Sequence, residues 1–132
     1  MTPESEEHLR KAREYLSKAR MLLEIVHFSD EAARAAYLAG FHAAQALISE
    51  RTGRTVKTHR GVRSTFARLS KDDPRLDRTF TQFLGQAYRR KEIVDYGVGP
   101  QAVVPETDAR QLTSVATQFV DRIAEILAEE SS

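Results

Sequence analysis

The segment YRRKEIVDYG, Tyr88 to Gly97, holds the residue types best suited to chemistry. Phe80, Phe83, Ala87, Arg90 and Val94 follow a 3-4-3-4 spacing, so Arg90 stands on an apolar helical seam. A buried guanidinium without a partner is strongly destabilising, so Arg90 must reach water, a carboxylate, a ligand or a second subunit. Arginine can grip a phosphate and stabilise developing negative charge. Asp95 and Tyr96 follow as polar groups just before a Gly–Val–Gly–Pro exit. On a regular helix Arg90 and Asp95 diverge by about 140°. They cooperate only if the helix unwinds before Gly97 or if the site is assembled with a neighbouring copy. Lys91 and Asp95, by contrast, are spaced for an ordinary ion pair of about 0.3–0.5 kcal/mol.

A second chemical signal is the charge distribution. The net charge is +1, yet Arg51, Arg54, Lys57, Arg60, Arg63 and Arg68 form a run with no acid among them. Acids gather towards the two ends, at Glu4, Glu6, Glu7 and Glu14 and at Asp121, Glu125, Glu129 and Glu130. The basic middle is either a solvated surface or a surface for phosphate or an acidic partner. His59 is the one histidine inside it, and His42 lies on a polar face with Arg34 and Gln45. For both histidines a capping or core role outweighs a catalytic one, and His8 and His27 read as surface or boundary residues. No histidines stand at metal-ligand spacing, so neither a metal nor a cofactor is expected. The chain has no cysteine, which excludes disulfides, thiolate nucleophiles and zinc–thiolate sites. There is no glycine-rich phosphate loop, no serine elbow and no carboxylate pair at catalytic spacing.

These side chains need a scaffold, and the periodicity is helical nearly throughout. At 132 residues, 41% hydrophobic and 30% charged, the chain reads as one globular domain over 1–132. No apolar run reaches the roughly 20 residues that span a bilayer. The charged start MTPESEEHLRKAR is not a secretion signal, so a cytoplasmic setting is expected. Thr2 and Pro3 read as cap and first residue of a helix whose stripe is Leu9, Ala12, Leu16, Ala19, Leu23 and Val26. Ser29-Asp30-Glu31 reads as the next cap and acidic first turn. AARAAYLAGFHAAQALI, residues 32–48, is apolar nearly all round and so belongs at the centre. Arg34, His42, Gln45 and Ser49 share one broad face of it, either solvent or the wall of a polar groove. A short helix then carries Val62, Phe66 and Leu69 inward. Asp73 and Pro74 read as the start of the fourth long segment, which ends near Asp95. Thr107 reads as cap of a last helix with Leu112, Val115, Phe119, Val120, Ile123, Ile126 and Leu127 inward. The expected fold is all-α, an antiparallel four-helix up-and-down bundle with one extra short helix. Leftover apolar surface would suit a dimer.

Three of these pieces, in this order, resemble the HEPN domains. They are the small-residue helix AARAAYLAGFHAAQALI, the opening VKTHRGVRSTF of the middle helix, and YRRKEIVDYG. The likeness is to short stand-alone members encoded beside minimal nucleotidyltransferases, and it spans most of residues 10–125. It implies a homodimer with two copies of a polar motif at a shared cleft, and a nucleotidyltransferase partner in a toxin–antitoxin-like pair. In ribonuclease members an arginine and, after four to six intervening residues, a histidine cut RNA without a metal. Here Arg90 matches the arginine, Asp95 stands where histidine is expected, and Tyr96 follows. Aspartate lacks the near-neutral acid–base chemistry of histidine and repels an RNA phosphate. The resemblance therefore implies a dimeric module that binds RNA or a nucleotide and lacks full ribonuclease activity. Its alternative is a metal-independent RNA-cleaving toxin using Arg90 with Asp95 and Tyr96, with the Arg51–Arg68 stretch guiding the RNA.

Overall fold

In a computed structural model the described residues are 1–97 and 103–131. They form five α-helices and no strand: α1 Pro3–Met21, α2 Ser29–Thr52, α3 His59–Ser70, α4 Arg78–Tyr96 and α5 Glu106–Glu130. No helix among these residues is long and apolar enough to cross a membrane.

Helix α1 begins as its sequence requires. Thr2 accepts from the Ser5 amide at 3.1 Å, Pro3 opens the first turn, and Glu4 and Glu6 face the positive end of the dipole. Past Met21 the helix widens into a π turn, Leu22–Val26, which stops at His27 in the left-handed region, φ 60°. The cap expected at Ser29–Asp30 is different in detail. Phe28 precedes the first turn of α2 without a side-chain cap, and Ser29 and Asp30 instead hold the lead-in to α5. Ser29 Oγ donates to the Val104 carbonyl at 2.7 Å, and Asp30 Oδ1 accepts from the Val104 amide at 2.6 Å. This fastening fixes Val104, fully buried with Leu23, Ala32, Ala33 and Ala109 in a small second core.

Helix α2 is central and touches all four other helices. Alanines allow that: Ala32, Ala33, Ala36, Ala39, Ala43, Ala44 and Ala46 are fully buried and let neighbouring backbones come close. Gly40 marks the tightest approach. A Cβ there would lie 2.5 Å from the Phe83 ring of α4, which is itself buried. Phe66, Phe80 and Phe83 surround Phe119 of α5, with ring centroids 5.1, 4.9 and 6.0 Å from it. Leu69, expected inward on α3, is only half-buried, whereas Val62 and Phe66 are fully covered.

Two start signals fall elsewhere than expected. Helix α4 starts at Arg78, with Asp77 accepting from the Thr79 amide at 2.6 Å. Asp73 instead closes a turn, accepting from the Arg75 amide at 2.9 Å, which tucks Leu76 into the core before the helix begins. Helix α5 starts at Glu106 after Pro105, so Thr107 lies inside the first turn rather than before it. The Gly–Val–Gly–Pro exit is described only at Gly97, because residues 98–102 lie outside the described residues.

Candidate functional site

Helix α4 presents different chemistry on two sides. Phe83 and Ala87 are buried, and Arg90 follows them as the seam predicts, but its guanidinium does not enter the core. Arg90 Nη2 donates to Asp108 Oδ2 of α5 at 2.7 Å, with the two side chains 41% and 37% exposed. The pair sits on a groove of about 700 Å³ between α4 and α5. Phe83, Ile93, Leu112 and Val115 line it with apolar surface, and Arg89, Gln82, Gln86 and Gln111 supply polar groups. An apolar lining with a few hydrogen-bonding groups and two guanidinium groups suits a base, a ribose and a phosphate.

The other side of α4 faces α2 and α3. Lys91 Nζ donates to Asp95 Oδ2 at 2.5 Å, and Arg34 Nε of α2 donates to Asp95 Oδ1 at 3.1 Å. The hydrogen bond from Lys91, helped by the charges of Lys91 and Arg34, holds the Asp95 carboxyl below the usual carboxylate range against the opposing effect of burial. Asp95 is thus an ionised structural partner of two cations. Arg90 and Asp95 bond to different helices, in keeping with their divergence along the helix. Tyr96, 78% exposed, ends α4.

His59 is the first residue of α3. Its Nδ1 is 2.7 Å from the hydroxyl of buried Tyr37, and its ring lies against Phe41 and Tyr88. Burial, then the charges of Lys91 and Arg63, lower its pKa, so the ring is neutral near pH 7. Arg63 stacks over the Tyr88 ring, 4.2 Å from its centroid, and Tyr88 donates to Glu92 at 2.6 Å. Burial raises the Tyr37 hydroxyl well above its ordinary range, although Arg63 opposes this.

The basic stretch does not form one patch. Arg51 pairs with Glu130 and lies 3.6 Å from Asp73, tying the end of α2 to that of α5. Arg54, Lys57 and Arg60 are exposed, while Arg63 turns onto Tyr88. Nor do Arg34, His42 and Gln45 share a groove, because α2 is covered on nearly every side. Arg34 goes to Asp95. Gln45 is buried and donates to the Val56 carbonyl at 2.8 Å, holding the α2–α3 connection. His42 faces α1, where its Nδ1 lies 3.1 Å from Nδ1 of His8 and Tyr15 stacks on its ring at 5.6 Å.

Sequence reasoning missed three things here. Asp108, partner of Arg90, lies 18 positions along the chain on another helix, and only its place in an acidic first turn hints at it. The groove glutamines had a signal, since Gln82, Gln86 and Arg89 recur at helical spacing. His8 had one too: it precedes the buried Leu9, which places it at the edge of the α1 seam. Among the described residues no three His, Asp or Glu side chains are grouped to hold a metal ion.

A family model of the HEPN domain matches residues 5–127, from the first turn of α1 to near the end of α5. The chain belongs to the HEPN domain family. No curated protein matches this HEPN chain. The match covers α2, the His59 opening of α3 and the Arg90–Tyr96 end of α4 together, so every candidate residue above belongs to the HEPN domain.

Proposed function

We propose that this HEPN protein is a binding module for a nucleotide or RNA and that it does not cut the strand it holds. The observation that carries this reading is the double ion pair on Asp95. A carboxylate held ionised by Lys91 and Arg34 has no proton to give and little basicity to take one. It also lies on the side of α4 away from the Arg90 groove. Arg90 and Arg89 bind phosphate in this reading, displacing or sharing Asp108, and the apolar lining of the groove receives the base.

The four long helices act as an antiparallel up-and-down bundle with α3 as the extra short helix, in one domain. The module works in the cytoplasm as a homodimer beside a minimal nucleotidyltransferase, in a toxin–antitoxin-like pair. Exposed apolar side chains near the α1–α2 junction and the end of α4 support such association: Ile25 is 75%, Phe28 58% and Tyr96 78% exposed. Arg54, Lys57 and Arg60, exposed between α2 and the start of α3, add to the attraction for a polyanion.

The test is calorimetric titration of a nucleoside monophosphate into wild type and Arg89→Gln/Arg90→Gln. Losing two charge-assisted contacts should weaken binding by at least tenfold. Equal affinity in the two proteins removes the groove from the account.

A further inference from the structure

Away from the groove, five half-buried rings touch one after another across four helices. His8 of α1 lies 5.4 Å from His42 of α2, and His42 lies 5.3 Å from Phe41. Phe41 lies 4.7 Å from His59 of α3, and His59 lies 5.4 Å from Tyr88 of α4. Tyr15 broadens the α1 end, stacked on His42 with 4° between the ring planes. The imidazoles of this strip have lowered pKa values, burial being the largest cause for each. Near pH 7 the strip is therefore uncharged aromatic surface.

Cations flank it. Lys11, Tyr15 and Lys18 follow an i, i+4, i+7 spacing, which puts two ammonium groups on either side of a ring on one face of α1. Together with His42 and Glu14 they line a depression of about 320 Å³. At the α4 end stand Lys91 and Arg63, whose guanidinium lies over the Tyr88 ring and beside the Tyr37 hydroxyl. The nearby carboxylates are engaged: Glu7 and Glu14 by Arg10, Asp95 by Lys91 and Arg34, and Glu92 by the Tyr88 hydroxyl.

We infer that this strip is a track for single-stranded nucleic acid, separate from the α4–α5 groove. Unpaired bases lie on the rings, with one nucleotide in the depression beside Tyr15, and the phosphates run along Lys11, Lys18 and Arg63. A row of rings with cations at both ends suits an unpaired strand, because its bases have faces to stack and its linkages carry charge. A duplex hides its base faces and gains only the charge term. The excess of unpaired cations favours a polyanion over a second copy of this chain, whose matching surface would carry the same sign.

Fluorescence anisotropy of a labelled ten-nucleotide oligouridine tests this, with Lys11→Gln/Lys18→Gln and Tyr15→Leu beside wild type. The double variant should bind at least tenfold more weakly. Its plot of log affinity against log salt should be shallower by about 1.4, at about 0.7 per lost phosphate contact. Tyr15→Leu should lose roughly tenfold with the salt slope unchanged, since stacking carries no charge. Both variants should bind a mononucleotide like wild type, which separates this track from the groove. Unchanged oligouridine affinity in the double variant overturns the inference. So does a duplex that competes as well as the single strand. A third contrary result is a loss of self-association on sedimentation with RNA binding intact, which makes the strip an interface between copies.

Discussion

Replacing His42 with Phe should make the protein more resistant to acid. The His42 pKa falls from 6.5 to about 4, first through burial between α1 and α2, then through the charges of His8 and Lys11, with Glu7 opposing. A folded state that disfavours the proton suffers no penalty above pH 7. The penalty grows as pH falls through 6.5, where the unfolded chain takes up the proton, and levels off below about 4. At about 1.4 kcal/mol per pH unit, the step from pH 7 to pH 5 removes at most about 2 kcal/mol, and roughly 1 kcal/mol once partial solvent access is counted. His8 and His59 shift the same way and add to it. Asp73 and Glu130, held low by hydrogen bonds from Arg75 and Arg51, lose their contribution only at lower pH, so this window reports on histidines. Phenylalanine keeps a ring against Tyr15 and cannot be protonated. Urea unfolding followed by circular dichroism should show His42→Phe losing about 1 kcal/mol less than wild type between pH 7 and pH 5. Parallel losses in the two proteins refute the reasoning.

Gly40→Ala should destabilise by about 1–3 kcal/mol in the same assay, because the new Cβ would push the buried Phe83 ring out of its packing. Arg90→Met should leave stability within about 0.5 kcal/mol of wild type, since the Arg90–Asp108 pair is exposed on both sides. Asp95→His should cost about 1 kcal/mol by losing two ion pairs, and it should not create RNA cleavage. The new imidazole would sit beside Lys91 and Arg34 rather than facing Arg90, so a cleaving Asp95→His protein shows that the two positions meet.

The helical class and the central place of residues 32–48 were legible because alanine-rich, all-round apolar patterning leaves few alternatives. The cap at Thr2 follows the same local logic. Asp73 and Thr107 misled because several residues in a row could cap, and burial of Leu76 and Val104 chose among them. Arg90 reads from its spacing as a seam cation needing a partner, and the structure pairs it with Asp108 on another helix. Arg34, His42 and Gln45 share a face by helical angle, yet three neighbouring elements divide that face. Periodicity gives the direction in which a side chain leaves its own helix. It does not give what another helix brings to meet it.

The central property proposed for this protein is a site that holds RNA without breaking it. Labelled single-stranded RNA incubated with a large excess of wild-type protein in chelator, then resolved on a denaturing gel, tests this most directly. Intact RNA over hours, with binding seen at the same concentrations, is the expected result. Fragments that appear with wild type and vanish with Arg90→Ala contradict it.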